Sequence, residues 1–170
     1  MTSIQLLRRL REHQVWANHR LMDAASRLTV DQLNRQFPIG QGSVLATLVH
    51  LYAAEFVWLE AINGNPRPIS PFEVRMETLA ELQSAWSSLE TRWQAFYETL
   101  KESDLTRMIA KTSALDPTAP PRTTPLADIL LHLSLHAQYT TAQMINMLRH
   151  LGVKPLPDPM MITLSRQQSA

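Results

Sequence analysis

Apolar positions recur at spacings of three and four along four long stretches of this chain, and each stretch reads as a helix. The first runs from about Ser3 to Leu28, with Leu7, Leu10, Ala17, Leu21, Ala25 and Leu28 on one face. "TVDQ" follows, where Thr29 is placed to cap a short helical turn. The second begins behind the glycines of "IGQGS", with Ser43 as its cap, and stops at Asn63 and Gly64. It is apolar almost all the way round, as expected of a helix buried on more than one side. One lane of it carries Ala46, His50, Ala53, Ala54, Val57 and Ala61, small residues that admit another helix closely or leave room around His50. The third, about Glu77 to Glu102, sets Leu79, Leu82, Trp86, Leu89, Trp93, Phe96 and Leu100 along a bundle seam. The fourth, about Pro125 to Leu151, is stopped by Gly152 and has Leu126, Leu133, Ala137, Met144 and Leu148 as its core line.

Glycine and proline punctuate only between these stretches, and no convincing period-2 strand intervenes. The expected fold is therefore all-α, a four-helix bundle. Long links between helices two and three, and three and four, allow crossover connections in place of a simple meander. At 170 residues the chain fits a single domain, 1–170, with a sizeable core. The tail "KPLPDPMMITLS" is expected to lie extended over the bundle, covering Met160, Met161, Ile162 and Leu164.

Composition narrows the chemistry. Sixteen basic and fifteen acidic residues give a net charge of +1, so bulk charge encodes no attraction to nucleic acid. With no cysteine there is no disulfide, thiolate metal site or cysteine nucleophile, and any metal must be held by histidine, carboxylate or water. The N-terminus "MTSIQLLRRLREHQ" interrupts its apolar run with arginines, unlike a signal peptide, and no stretch reaches the roughly 20 apolar residues of a membrane span. A cytoplasmic protein with no membrane partner is expected. Phosphate loops, serine-nucleophile motifs and dinucleotide fingerprints are absent.

Three of the six histidines, His50, His132 and His136, lie on core-facing or buried helical surfaces. His132 and His136 stand four apart on one side of helix four, a spacing at which two imidazoles can share an ion at ~2.0–2.1 Å. With a third ligand from another helix they would form a facial site open to water or substrate. On the helical wheel His136 and Thr140 lie nearer the core line than His132. Glu55 falls on the strongly apolar face of helix two, either as a buried partner that positions helices or as a base or support beside a site.

Three stretches in order resemble the DinB/YfiT-like family: "VWANHRLMDA", "FPIGQGSVLATLVHLYAAEFVWLEAING" and "LLHLSLHAQYTTAQMINMLRHLGVKPLPDPMMITL". The resemblance implies a four-helix bundle with long crossovers, commonly a homodimer, often holding nickel or zinc through three histidines. One of these would be His50 and another His136, with Gln143 matching a glutamine that closes the family's pattern. "HAQYTTAQ" departs from that pattern, because Tyr139 and Thr140 stand where the family has two histidines. Thr140, a neutral hydroxyl, thus replaces an expected ligand, and His132 or water would complete the sphere.

Related proteins include thiol-dependent transferases, in which the metal would stabilise a thiolate on a small-molecule ligand. The sequence leaves two readings open: a metal-binding protein of this kind, or a non-catalytic bundle with a degenerate site that acts in ligand binding or protein interaction. Fold alone decides neither.

Overall fold

The computed structural model describes residues 1–69, 78–113, 116 and 118–169. Four long helices dominate: α1 (Ser3–Ser26), α3 (Val44–Ile62), α4 (Leu79–Thr99) and α5 (Leu126–His150), with short helices α2 (Val30–Asn34) and α6 (Met161–Gln168). The expected all-α class is what the chain adopts.

The helix ends follow from their local sequence. Thr29 and Gln32 close a reciprocal capping box at α2, and Thr78 and Glu81 do the same at α4. Ser43 caps α3 as its sequence implied, its hydroxyl accepting from the Ala46 amide at 3.2 Å. At the other end of α3, the Asn65 amide reaches back to the Glu60 carbonyl at 3.0 Å, around Gly64 at φ +96. The same closure ends α5, where Val153 bonds to Leu148 around Gly152.

Two expectations are corrected. Met108–Lys111 (β1) and Arg122–Pro125 (β2) pair as an antiparallel ribbon, Met108 opposite Pro125 and Lys111 opposite Arg122. Each strand has four residues, too few to display an alternating pattern, and their pairing is not local in sequence. Pro125 accordingly ends β2 instead of opening the last helix. The tail is not extended throughout: Asp158 accepts from the Met160 amide at 3.0 Å and the Thr163 hydroxyl at 2.7 Å, and α6 follows. Only Leu164 is buried there; Met160 and Ile162 are exposed. In addition, α4 stops at Thr99, where Leu100 turns extended ahead of a 3-10 turn, Glu102–Thr106. The expected start of this helix, Glu77, lies outside the described residues.

The chain divides into two compact units, each made of two stretches. In the unit formed by Met1–Leu7 and Tyr52–Leu133, Leu82, Trp86, Leu89 and Trp93 of α4 are buried along the seam that their spacing drew. Tyr52 meets Trp86 edge-on at 6.0 Å, and Arg92 pairs with Glu60. Ile109 of β1 and Ile129 and Leu130 of α5 are buried as well.

In the unit formed by Arg8–Leu51 and Ser134–Ala170, Leu21 and Ala25 of α1, Leu48 and Leu51 of α3 and Met144, Met147 and Leu148 of α5 are buried. Burying a side chain of this size contributes about 1.5–3 kcal/mol, which is why the apolar stripes govern where the helices turn their faces. Among the described residues α3 is the one helix that by length and composition alone could cross a bilayer, contrary to the expectation that no stretch would. More than half of it is buried inside the protein, and this accounts for its apolar character.

Candidate functional site

The first half of α3 and the middle of α5 bring His50 and His136 together within one unit. Their Nε2 atoms stand 2.9 Å apart, with ring centroids at 4.8 Å and planes inclined by 60°. Both rings are half-buried.

A contact of 2.9 Å between two imidazole nitrogens requires that one carries a proton and the other presents its lone pair. Burial pushes the His50 pKa down, because the charged ring loses hydration. Two cationic rings at this distance would repel strongly, so at least one ring is neutral, the form that ligates metals, and burial makes His50 the readier to be so.

As a donor set, the pair fits two adjacent ligands of an ion. Two bonds of ~2.05 Å meeting at a right angle span ~2.9 Å, whereas a tetrahedral angle needs ~3.3 Å. The two rings would supply two neighbouring nitrogen donors, and the rest of an ion's ligands would have to come from water or a small molecule. No group of three or more histidine, carboxylate or cysteine side chains close enough to hold an ion occurs among the described residues.

His132, the further expected ligand, is exposed, and its ring meets Trp58 edge-on at 6.1 Å. The two departures from the family's pattern differ in direction: Tyr139 is 69% exposed, whereas Thr140 is 1% exposed. Position 140 is thus the inward one, one turn beyond His136. Glu55 is fully buried and has a polar or electrostatic partner; with burial as the main cause, its charge helps to hold the Tyr52 pKa up.

Gln143 supports the loop ahead of α3. A Cβ on Gly40 would lie 2.2 Å from Gln143 Oε1, and Gly40 adopts φ +49, so the backbone of that loop lies directly against the glutamine. The end of the Gln143 side chain could swing aside for a Cβ, so it is the left-handed backbone at φ +49 that favours glycine here.

Two further residues were not singled out as functional by their pattern. His13, placed at the edge of the α1 stripe by its position, is buried; its Nε2 donates to the Pro159 carbonyl at 2.7 Å, and Gln138 Nε2 lies 3.5 Å from its Nδ1. Arg20 lays its guanidinium 4.9 Å from the centre of the Trp16 ring. The signal for the latter was present, since Trp16 and Arg20 are four apart and so neighbours on one helix face.

A family model described as "DinB family" matches residues 2–168. A comparison with curated proteins returned no match.

Proposed function

This chain is a member of the DinB family, and on that premise we propose that it binds a divalent metal, nickel or zinc, at His50 and His136. The observation that carries the reading is the 2.9 Å approach of the two Nε2 atoms, contributed by two separate helices. Half-burial supports it too, for it favours the neutral form of the His50 ring while leaving a side open to solvent. Thiol-dependent group transfer is the activity we assign to such an open centre.

When bound, the ion would supply Lewis-acid charge and stabilise a ligand thiolate. The chain's own part is to orient the two rings from α3 and α5 and to hold the buried Thr140 hydroxyl one turn beyond His136. Being a neutral group, Thr140 can accept or donate a hydrogen bond but is a poor ligand at neutral pH.

The test is metal analysis of protein purified without an affinity tag, followed by calorimetric titration with nickel and zinc. A stoichiometric ion in the wild type, absent from His50→Ala and His136→Ala, is expected. A metal-free wild type that takes up neither ion would sink the proposal. It would favour the second reading, a non-catalytic bundle, which rests on Thr140 and on the absence of a third donor among the described residues.

A further inference from the structure

We propose that α1 and the segment Pro155–Pro157 form a second site, one that takes a small organic anion: a carboxylate or phosphate group carried on an apolar body. The two elements, both in the unit formed by Arg8–Leu51 and Ser134–Ala170, enclose a cleft of about 460 Å³. This is within the usual range of small-molecule sites. Neither His50 nor His136 lines it.

Arg20 and Arg27 line the cleft together with Asp23, and Trp16 and Pro155–Pro157 add apolar surface. Arg20 lies over Trp16, and this contact fixes the plane of the guanidinium. Its Nε is buried and has no hydrogen-bond partner. A buried donor without an acceptor is a standing cost that an anion at this point would remove.

The carboxylates nearby are already engaged. Asp23 is paired with Arg27, one turn along α1. Asp158, whose charge reaches Arg20, gives one oxygen to the Met160 amide and the other to the Thr163 hydroxyl. His19, exposed, also lines the cleft.

The walls determine the rest of the ligand. Pro155, Leu156 and Pro157 face the cleft with apolar surface, and the two prolines have no amide N–H to offer. A planar or aliphatic body would pack between them and Trp16, while its anionic end met the Arg20 fork. Arginine suits this role because its donors match the oxygens of a carboxylate or phosphate in pairs.

The experiment is an NMR titration of the full chain, following the Arg20 Nε–H and Trp16 indole resonances. Benzoate and phenyl phosphate serve as probes, with inorganic phosphate and benzyl alcohol as controls. Saturable shifts of both resonances are expected with one or both aromatic anions, and whichever binds tighter identifies the preferred group. Arg20→Met should weaken that binding about tenfold or more, as loss of a charge-assisted pair does. Arg20→Lys, which keeps the charge but not the fork, should lie between, and Arg107→Met, on an exposed turn, should bind as the wild type does.

The proposal is overturned if neither anion shifts the Arg20 Nε–H at millimolar concentration. It is equally overturned if benzyl alcohol or inorganic phosphate binds as tightly as the aromatic anions, or if folded Arg20→Met binds them unchanged. Should Arg20→Met fail to fold, the wild-type Nε–H titration still decides the matter.

Discussion

His50 and Arg20 both stand half-buried in the same unit of the protein, yet they meet burial in different ways. His50 faces a second imidazole at 2.9 Å, and its charge is suppressed by loss of hydration. Arg20 keeps a buried donor, its Nε, without a hydrogen-bond partner. The proposed metal site would take a cation on neutral ring nitrogens, and the proposed cleft would take an anion that brings its own acceptors. Two proposed sites of opposite preference can stand in one unit because each depends on the side chains at its centre, with the net charge of +1 contributing little to either.

The largest effect that separates them is metal-linked stability. Nickel or zinc at about a hundredfold excess over its Kd should stabilise the wild type by about 2.7 kcal/mol, read as a rise in Tm. His50→Ala and His136→Ala should lose that rise, and Arg20→Met should keep it. The gain should also fade in acid, further down than the ordinary histidine value of about 6.5 because burial lowers the His50 pKa, as protons compete for the same imidazole lone pairs. A rise of equal size in His136→Ala would break the comparison, since the metal would then sit elsewhere.

The two places were also unequally legible in the sequence. α3, α4 and α5 announced themselves because burial imposes a 3.6-residue period on long helices, and Leu82, Trp86, Leu89 and Trp93 are buried as that period implies. His50 was legible from the lane of small residues around it, and His136 from its position beside the core line of α5. The ribbon was not, since "MIAK" and "RTTP" are too short to carry a period and depend on each other for hydrogen bonds. The arginine cleft was hidden for a related reason. Its floor is on α1 and its walls are at Pro155–Pro157, so only tertiary packing brings them together.

Next in size is a substitution that acts on the histidine unit without touching a histidine. Gly40→Ala puts a methyl where Gln143 Oε1 stands, and does so at φ +49. A loss of about 1–2 kcal/mol, chiefly from the left-handed backbone, is expected in denaturant unfolding. The double variant Gly40→Ala/Gln143→Ala should recover the part due to collision and retain the part due to backbone strain. If the single substitution is neutral, the loop does not depend on its contact with α5.

A smaller gain is expected from Thr140→His, which returns a ring nitrogen to the one inward-facing position that departs from the family's pattern. Tighter metal binding by about tenfold, or 1.4 kcal/mol, should appear in the calorimetric titration, partly offset by the strain of fitting an imidazole where Thr140 is 1% exposed. Tyr139→His, at an exposed position, should change nothing. If the two variants bind metal equally well, position 140 is not aimed at the histidine pair.

The smallest effect tests the cleft from the acid side. The Thr163 hydroxyl and the Met160 amide hold the Asp158 carboxyl below its ordinary pKa. A carboxyl whose pKa is lower folded than unfolded stabilises the fold above the unfolded value of about 3.9 and loses that contribution as pH falls through the folded value. The start of α6 should therefore loosen below about pH 4, before the rest of the protein, visible as faster amide exchange at Met160 and Thr163. Asp158→Asn should remove most of that pH dependence, because an amide oxygen still accepts from the backbone but carries no charge to titrate. It should also bind benzoate or phenyl phosphate slightly more tightly, having removed the negative charge whose field reaches Arg20. Unchanged exchange at Met160 and Thr163 between pH 5 and about pH 3, after correction for intrinsic rates, would show that Asp158 does not hold α6 in place.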